Sequence, residues 1–167
     1  MTEAALSGVT HRILENDYAS EWMGIEVLAV TDGHATIRMT LRQEMLNGFG
    51  MAHGGMIFAF ADTAFALACN PVNPGPGDAD SITVAAGVDI NFLKPAFRGQ
   101  VITAVADRRS SAGRSGLYDI QIFAADPGAQ TGSPPSSAQP GSGLFSSGQP
   151  GELIAEFRGR SRTIPKK

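Results

Sequence analysis

From Met56 to Cys69 the chain reads MIFAFADTAFALAC, and among these 14 residues only Asp62 and Thr63 are not apolar. Asn70 and Pro71 follow, and proline disfavours helical backbone in the residue before it. The pattern predicts a helix that starts after His53 and stops near Asn70. A helix apolar on all sides is normally buried on all sides. The rest of the chain must therefore wrap it, and the sequence around it is rich in strand signals.

GIEVLAV (24–30) and HATIRMTL (34–41) flank the turn signal TDG and read as a hairpin. Residues 82–93, 99–107, 116–123 and 152–164 read as four further strands. Residues 3–16 carry Leu6, Val9, Ile13 and Leu14 near helical spacing, which predicts a short amphipathic helix. The expected architecture is α+β, one antiparallel sheet wrapped around one long helix. The 167 residues fit a single domain. Residues 126–151 are an insert: 17 of the 26 are Gly, Pro or Ser, and Leu144 and Phe145 are its only large apolar residues. Such a segment buries too little to offset its ordering entropy and is expected to be a disordered hairpin loop.

Net charge is −3, which gives no reason to expect nucleic acid or an anionic membrane as partner. The start MTEAALSGVTHRILEND has no apolar signal core, and no apolar run spans a bilayer. A single cysteine, Cys69, fits a reducing compartment, so the expected location is cytoplasmic. His11, His34 and His53 show no metal-ligand spacing, and neither a metal nor a separate cofactor is expected.

Asp62 stands out, because an unpaired buried carboxylate costs several kcal/mol if it stays ionised. Either it meets a polar partner or a partly open subunit interface, or it is catalytic. Gly54 and Gly55 fall where the first unpaired helical N–H groups sit, a place that favours negative charge and lets a ligand come close. That makes the helix start a candidate oxyanion site, although two glycines can equally make a tight turn. Gly54 and Asp62 are eight positions apart, about 12 Å along one helix. Reacting atoms must approach to about 3–3.5 Å, so the two groups can share a substrate only if a second copy of the helix runs antiparallel to the first.

The run NGFGMAHGG followed by ADTA resembles the hotdog-fold acyl-CoA thioesterases, most closely the PaaI type, the hydroxyphenylacetyl-CoA thioesterases of phenylacetate degradation. QEMLNGFGMAHGG, FADTAFALACN, INFLKPAFRGQ, GRSGLYDIQIF and EFRGRSRTI all resemble segments of that type in the same order; the 126–151 insert departs from it. The resemblance implies a hotdog fold and hydrolysis of phenylacetyl-CoA or its ring-hydroxylated esters. Coenzyme A is then part of the substrate. It also implies a homodimer with shared active sites, paired into a homotetramer.

By the same resemblance Asp62 is the catalytic carboxylate, as nucleophile or as base on water. Gly54, with Gly55, donates backbone N–H to the thioester oxygen. Asn47 positions the water or the carboxylate, and His53 donates near the carbonyl. Thr83 contacts the acyl group. Bland readings stand beside these: Asn47-Gly48 is a turn dipeptide, and His53 can cap the helix. Arg158 and Arg114 are candidate phosphate contacts, as are Arg108, Arg109, Arg160 and Arg162. Two other classes remain: a hotdog hydratase or dehydratase, which would want a His–acid pair, and a non-catalytic acyl-CoA sensor, which would need an output domain.

Overall fold

The computed structural model describes residues 9–129 and 150–166. Its main helix, α2 (Gly54–Cys69), lies against a six-stranded antiparallel sheet. The strands are β1 (Glu26–Thr31), β2 (His34–Thr40), β3 (Ser81–Phe92), β4 (Val101–Ala112), β5 (Ser115–Ala125) and β6 (Glu152–Pro165), in spatial order β1-β2-β4-β5-β6-β3. All six expected strands are present. Gly33, at φ 79°, makes the β1–β2 turn that the TDG signal predicts.

Strand alternation sets the core. Ile37 and Met39 of β2, Ile102 and Ala104 of β4, Ile120 and Ile122 of β5 and Phe157 of β6 are buried together with α2. Phe65 of α2 sits 5.3 Å from the Tyr118 ring and 5.9 Å from the Phe157 ring, centroid to centroid. Gly159 makes this fit possible, because a Cβ there would lie 2.8 Å from the Phe65 ring.

The N-terminal expectation needs correcting. Residues 1–8 lie outside the described residues, and no α-helix runs from 9 to 16. A 3-10 turn covers Arg12–Leu14, Asn16 then takes a left-handed φ of 61°, and α1 spans Tyr18–Met23. Asp17 caps α1 by accepting the Ser20 N–H at 3.1 Å. Val9, Ile13 and Leu14 still pack on the core, so their spacing marked burial and not helix.

The insert is bounded by the last residue of β5, Ala125, and the first of β6, Glu152. The expectation of disorder falls mostly on 130–149, outside the described residues.

Strand β3 is the sheet edge next to β6, twelve residues long and largely exposed. Val88 and Phe92 are 39% and 53% exposed. Nor is α2 buried on all sides, as its composition led one to expect. Ile57, Phe60, Ala61, Ala64, Phe65, Leu67 and Ala68 are buried, whereas Gly55, Ala59, Asp62, Ala66 and Cys69 form an open stripe. One chain alone leaves that stripe and the β3 edge uncovered.

Candidate active site

The stretch Asn47–Met51 folds back on itself before α2. The Asn47 N–H donates to the Met51 carbonyl at 2.8 Å, and Gly50 takes a left-handed φ of 76°. The side-chain Oδ1 of Asn47 accepts the N–H groups of Phe49 and Met51 at 2.9 and 3.2 Å. That occupies its acceptor and fixes its amide. Among the described residues nothing takes its Nδ2 donors. The turn is pinned to the helix start by His53 N–H to the Met45 carbonyl and Ala52 N–H to the Ala96 carbonyl, both 2.8 Å.

His53 is the N-cap of α2, and its Nδ1 accepts the Gly55 N–H at 3.0 Å. An accepting Nδ1 puts the ring proton on Nε2, on an exposed side chain that can donate outward. The two glycines are thereby distinguished. Gly55 has its donor occupied, while no acceptor among the described residues takes the Gly54 N–H. Of the two, Gly54 has the N–H that the geometry leaves available as a candidate oxyanion donor. Beside it lies a groove of about 430 Å³ lined mainly by Gly54, Ile57, Phe92, Leu93, Pro95 and Ala96. The Phe92 ring closes over Gly54: a Cβ there would meet it at 3.2 Å.

Asp62 is half-buried in the middle of the open stripe. Burial pushes its carboxyl pKa up, and among the described residues no neighbouring charge or hydrogen bond pulls it back. Its neighbour Thr63 is the partnered one, with Oγ bonded to the Ala59 carbonyl and to Ser20 Oγ. The reading in which Asp62 meets a polar partner is therefore not met within the described part of one chain. Cys69, on the same stripe, is a poor nucleophile, its thiol pushed up to about 12 by burial.

Thr83 lies at the opposite end of α2 from Gly54. Its Oγ1 is 2.8 Å from Thr163 Oγ1. Arg114 is in the β4–β5 turn at that same end, and its carbonyl accepts the Thr163 N–H at 2.8 Å. The Arg114 side chain is exposed and has no carboxylate partner among the described residues.

Arg158 is different. Phe157 and Gly159 face α2, so Arg158, Arg160 and Arg162 face away from it. Arg158 Nε donates to Asp119 at 2.7 Å, and Arg109 shares the same carboxylate. A polar cleft of about 290 Å³ there also contains Asp89 and Glu156. Its carboxylates outnumber its guanidinium groups, which disfavours a phosphate. The structure does not bring Arg158 to the helix start. Arg108 is likewise taken, donating to Asp32 at 2.8 Å. Sequence reading missed Phe92 as the roof over Gly54, since INF carries no signal beyond strand.

No group of three or more potential metal ligands exists among the described residues, and no described helix is long and apolar enough to cross a membrane.

The family model described as Thioesterase superfamily matches residues 49–130. The chain is 39% identical over 112 residues to acyl-coenzyme A thioesterase PaaI of Escherichia coli (strain K12), covering 67% of this chain and 75% of that protein. The solved structure of the E. coli PaaI protein from the phenylacetic acid degradation operon superposes with a TM-score of 0.70 at 32% identity, over 93% of this chain and 91% of that one. A point mutant of the phenylacetic acid degradation protein PaaI from Thermus thermophilus gives 0.65 at 25% identity, over 87% and 98%. The chain belongs to the thioesterase superfamily, a thioester hydrolase with the hotdog fold.

Proposed function

We propose that this chain hydrolyses acyl-CoA thioesters, with a preference for phenylacetyl-CoA and its ring-hydroxylated relatives, at sites shared between two protomers. The observation that carries this reading is the pair of groups on one helix left unmet among the described residues: the Gly54 N–H, without an acceptor, and the Asp62 carboxylate, without a donor. They are about 12 Å apart along α2, too far to act on one carbonyl from the same chain.

The sheet edge supplies the arrangement. A second β3 pairing antiparallel with the free edge of the first extends the sheet across a two-fold axis. Phe92 of β3 packs on Gly54, and Thr83 of β3 bonds Asn70 after the helix end. The two-fold therefore sets the Gly54 end of one protomer beside the Thr83 end of the other. It also covers the exposed Val88 and the open stripe that holds Asp62. Two such dimers pair into a homotetramer.

In each site one protomer gives Gly54, His53 and Asn47, and the other gives Asp62. The thioester oxygen accepts the Gly54 N–H, made more effective by the helix dipole. The Asp62 carboxylate either attacks the carbonyl carbon, expelling the CoA thiolate and leaving an anhydride that water then opens to free acid and Asp62, or takes a proton from a water that attacks the carbon and expels the thiolate directly. Asn47 Nδ2 and His53 Nε2 donate around the reacting atoms. Arg114, at the Thr83 end, is placed for a CoA phosphate. The aryl-acetyl preference rests on the likeness to the PaaI proteins and on the apolar, Phe92-roofed groove. The reaction belongs in the cytoplasm, which also suits the free Cys69.

The test is release of free CoA from phenylacetyl-CoA and hydroxyphenylacetyl-CoA, followed with a thiol reagent. Hydrolysis of these in preference to straight-chain acyl-CoA supports the reading. Hydration of an enoyl-CoA without CoA release would make it a hydratase, and binding without turnover a sensor.

A further inference from the structure

Asn70 follows the last residue of α2 and is 94% buried, being 6% exposed. The sequence offers it only as a helix stop before Pro71. In the structure every polar atom of its side chain is engaged. Nδ2 donates to the Ala66 carbonyl and to the Thr83 carbonyl, each at 2.9 Å. Oδ1 accepts the Thr83 N–H at 3.1 Å. One side-chain amide thus pairs both backbone groups of Thr83, as a neighbouring strand would.

The direction of those groups matters. In an antiparallel ladder a residue's N–H and C=O point to the same side. Thr83 faces Thr163 of β6 in register, yet its backbone groups go to Asn70. It is therefore a non-hydrogen-bonded pair with Thr163, which explains the close 2.8 Å contact of the two hydroxyls. Asn70 occupies the edge of β3 at this residue, so a second β3 can pair only further along the strand. Thr83 is held in place without being covered by a partner strand. With Thr163 Oγ1 as donor to Thr83 Oγ1, the Thr83 hydroxyl keeps its own proton for a ligand.

We infer that Asn70 is a positioning residue for the hydrolysis: it fixes Thr83 at the uncovered start of β3, so that the Thr83 hydroxyl meets the substrate held at the Gly54 end of the other protomer. This rests on the shared-site reading above. His11 is a further tie on the same clamp, since its Nε2 donates to the Asn70 carbonyl at 3.3 Å.

The test is a double-mutant cycle on kcat/KM for phenylacetyl-CoA hydrolysis, with Asn70→Ala, Thr83→Val and both together, each checked for dimer content. Asn70→Ala is expected to lose about tenfold in the native background and less than about twofold in the Thr83→Val background, because the hydroxyl it positions is already gone. Multiplying losses, or an unchanged kcat/KM in Asn70→Ala, overturn the inference. Should Asn70→Ala fail to fold, Asn70→Asp takes its place in the cycle with Thr83→Val, keeping the acceptor for the Thr83 N–H and losing the donor to the Thr83 carbonyl, with the same two outcomes. A native protein that releases no CoA from any acyl-CoA overturns the functional reading itself, and this inference with it; a native protein that does so while the cycle is additive overturns only the inference.

Discussion

His53 Nδ1 accepts the N–H of Gly55 at 3.0 Å and by doing so leaves the N–H of Gly54 as the unmet donor at the start of α2. A capping bond that reads as purely structural thus decides which glycine N–H is free to serve as the proposed oxyanion donor. It also sets the His53 tautomer, with the proton on Nε2.

Gly54→Pro tests that donor with little disturbance. Gly54 is the first residue of the helix, where proline is favoured. His53 before it is extended, at φ −65° and ψ 131°, as a residue preceding proline must be. The Phe92 ring must give by a few tenths of an ångström. The expected result is a folded protein with kcat lowered about 10²–10³-fold, the loss seen when one oxyanion donor is removed. Steady-state kinetics on a variant with native circular dichroism check it.

Asp62→Asn should nearly abolish turnover and at the same time stabilise the protein. Burial raises the Asp62 pKa above 3.8 in the fold, so the unfolded chain gives up this proton more readily. The group burdens stability as pH rises through its raised folded value, and the burden stays at neutral pH; below 3.8 it vanishes. Thermal melts should therefore place the variant above the native protein at neutral pH, by about 2–4 °C for each kcal/mol relieved. The gap should close in acid. In the native enzyme the acid limb of kcat/KM should lie above the ordinary carboxylate range.

His11 gives a separate pH effect. Its Nδ1 accepts the Ile13 N–H at 3.3 Å while Nε2 donates to the Asn70 carbonyl, so the buried ring is held neutral. Desolvation, and then Arg12, push its pKa below 6.5, partly offset by its bond to Asn70. A depressed histidine pKa means stability that is complete above 6.5 and is lost as pH falls through the folded value. His11→Gln keeps a donor for Asn70 and removes the titration. The difference in unfolding free energy between native and variant, followed by urea melts from about pH 7.5 to about pH 5, should shrink or reverse as pH falls. A constant difference would show that folding leaves the His11 pKa unchanged.

Strand alternation and the all-apolar helix made the sheet-and-helix architecture legible before any coordinates. Ala112 was missed as the end of β4 because Arg108 to Ser111 are polar and exposed, with no alternation to read. The first turns misled because Val9, Ile13 and Leu14 have helical spacing without helical backbone; the Asp17 cap and Gly24 stop were the better signals. For the candidate site, the motif pointed to residues but not to their bonds. Which glycine keeps a free donor depends on the His53 rotamer. Whether Arg158 is free depends on Asp119, 39 residues away on another strand. Asn70 reads as a helix stop because its partner, Thr83, is brought to it only by the fold.

The central claim is that two chains build each site, and complementation tests it most directly. Asp62→Asn and Gly54→Pro each leave a homodimer with two broken sites. In a mixed dimer one site pairs the intact Gly54 of the first variant with the intact Asp62 of the second, and the other site holds both defects. Random mixing makes half the dimers mixed, each with one working site of two, so coexpression should restore about a quarter of native kcat per mole of protein. Verified mixed dimers whose turnover stays at the homodimer background would contradict the shared site.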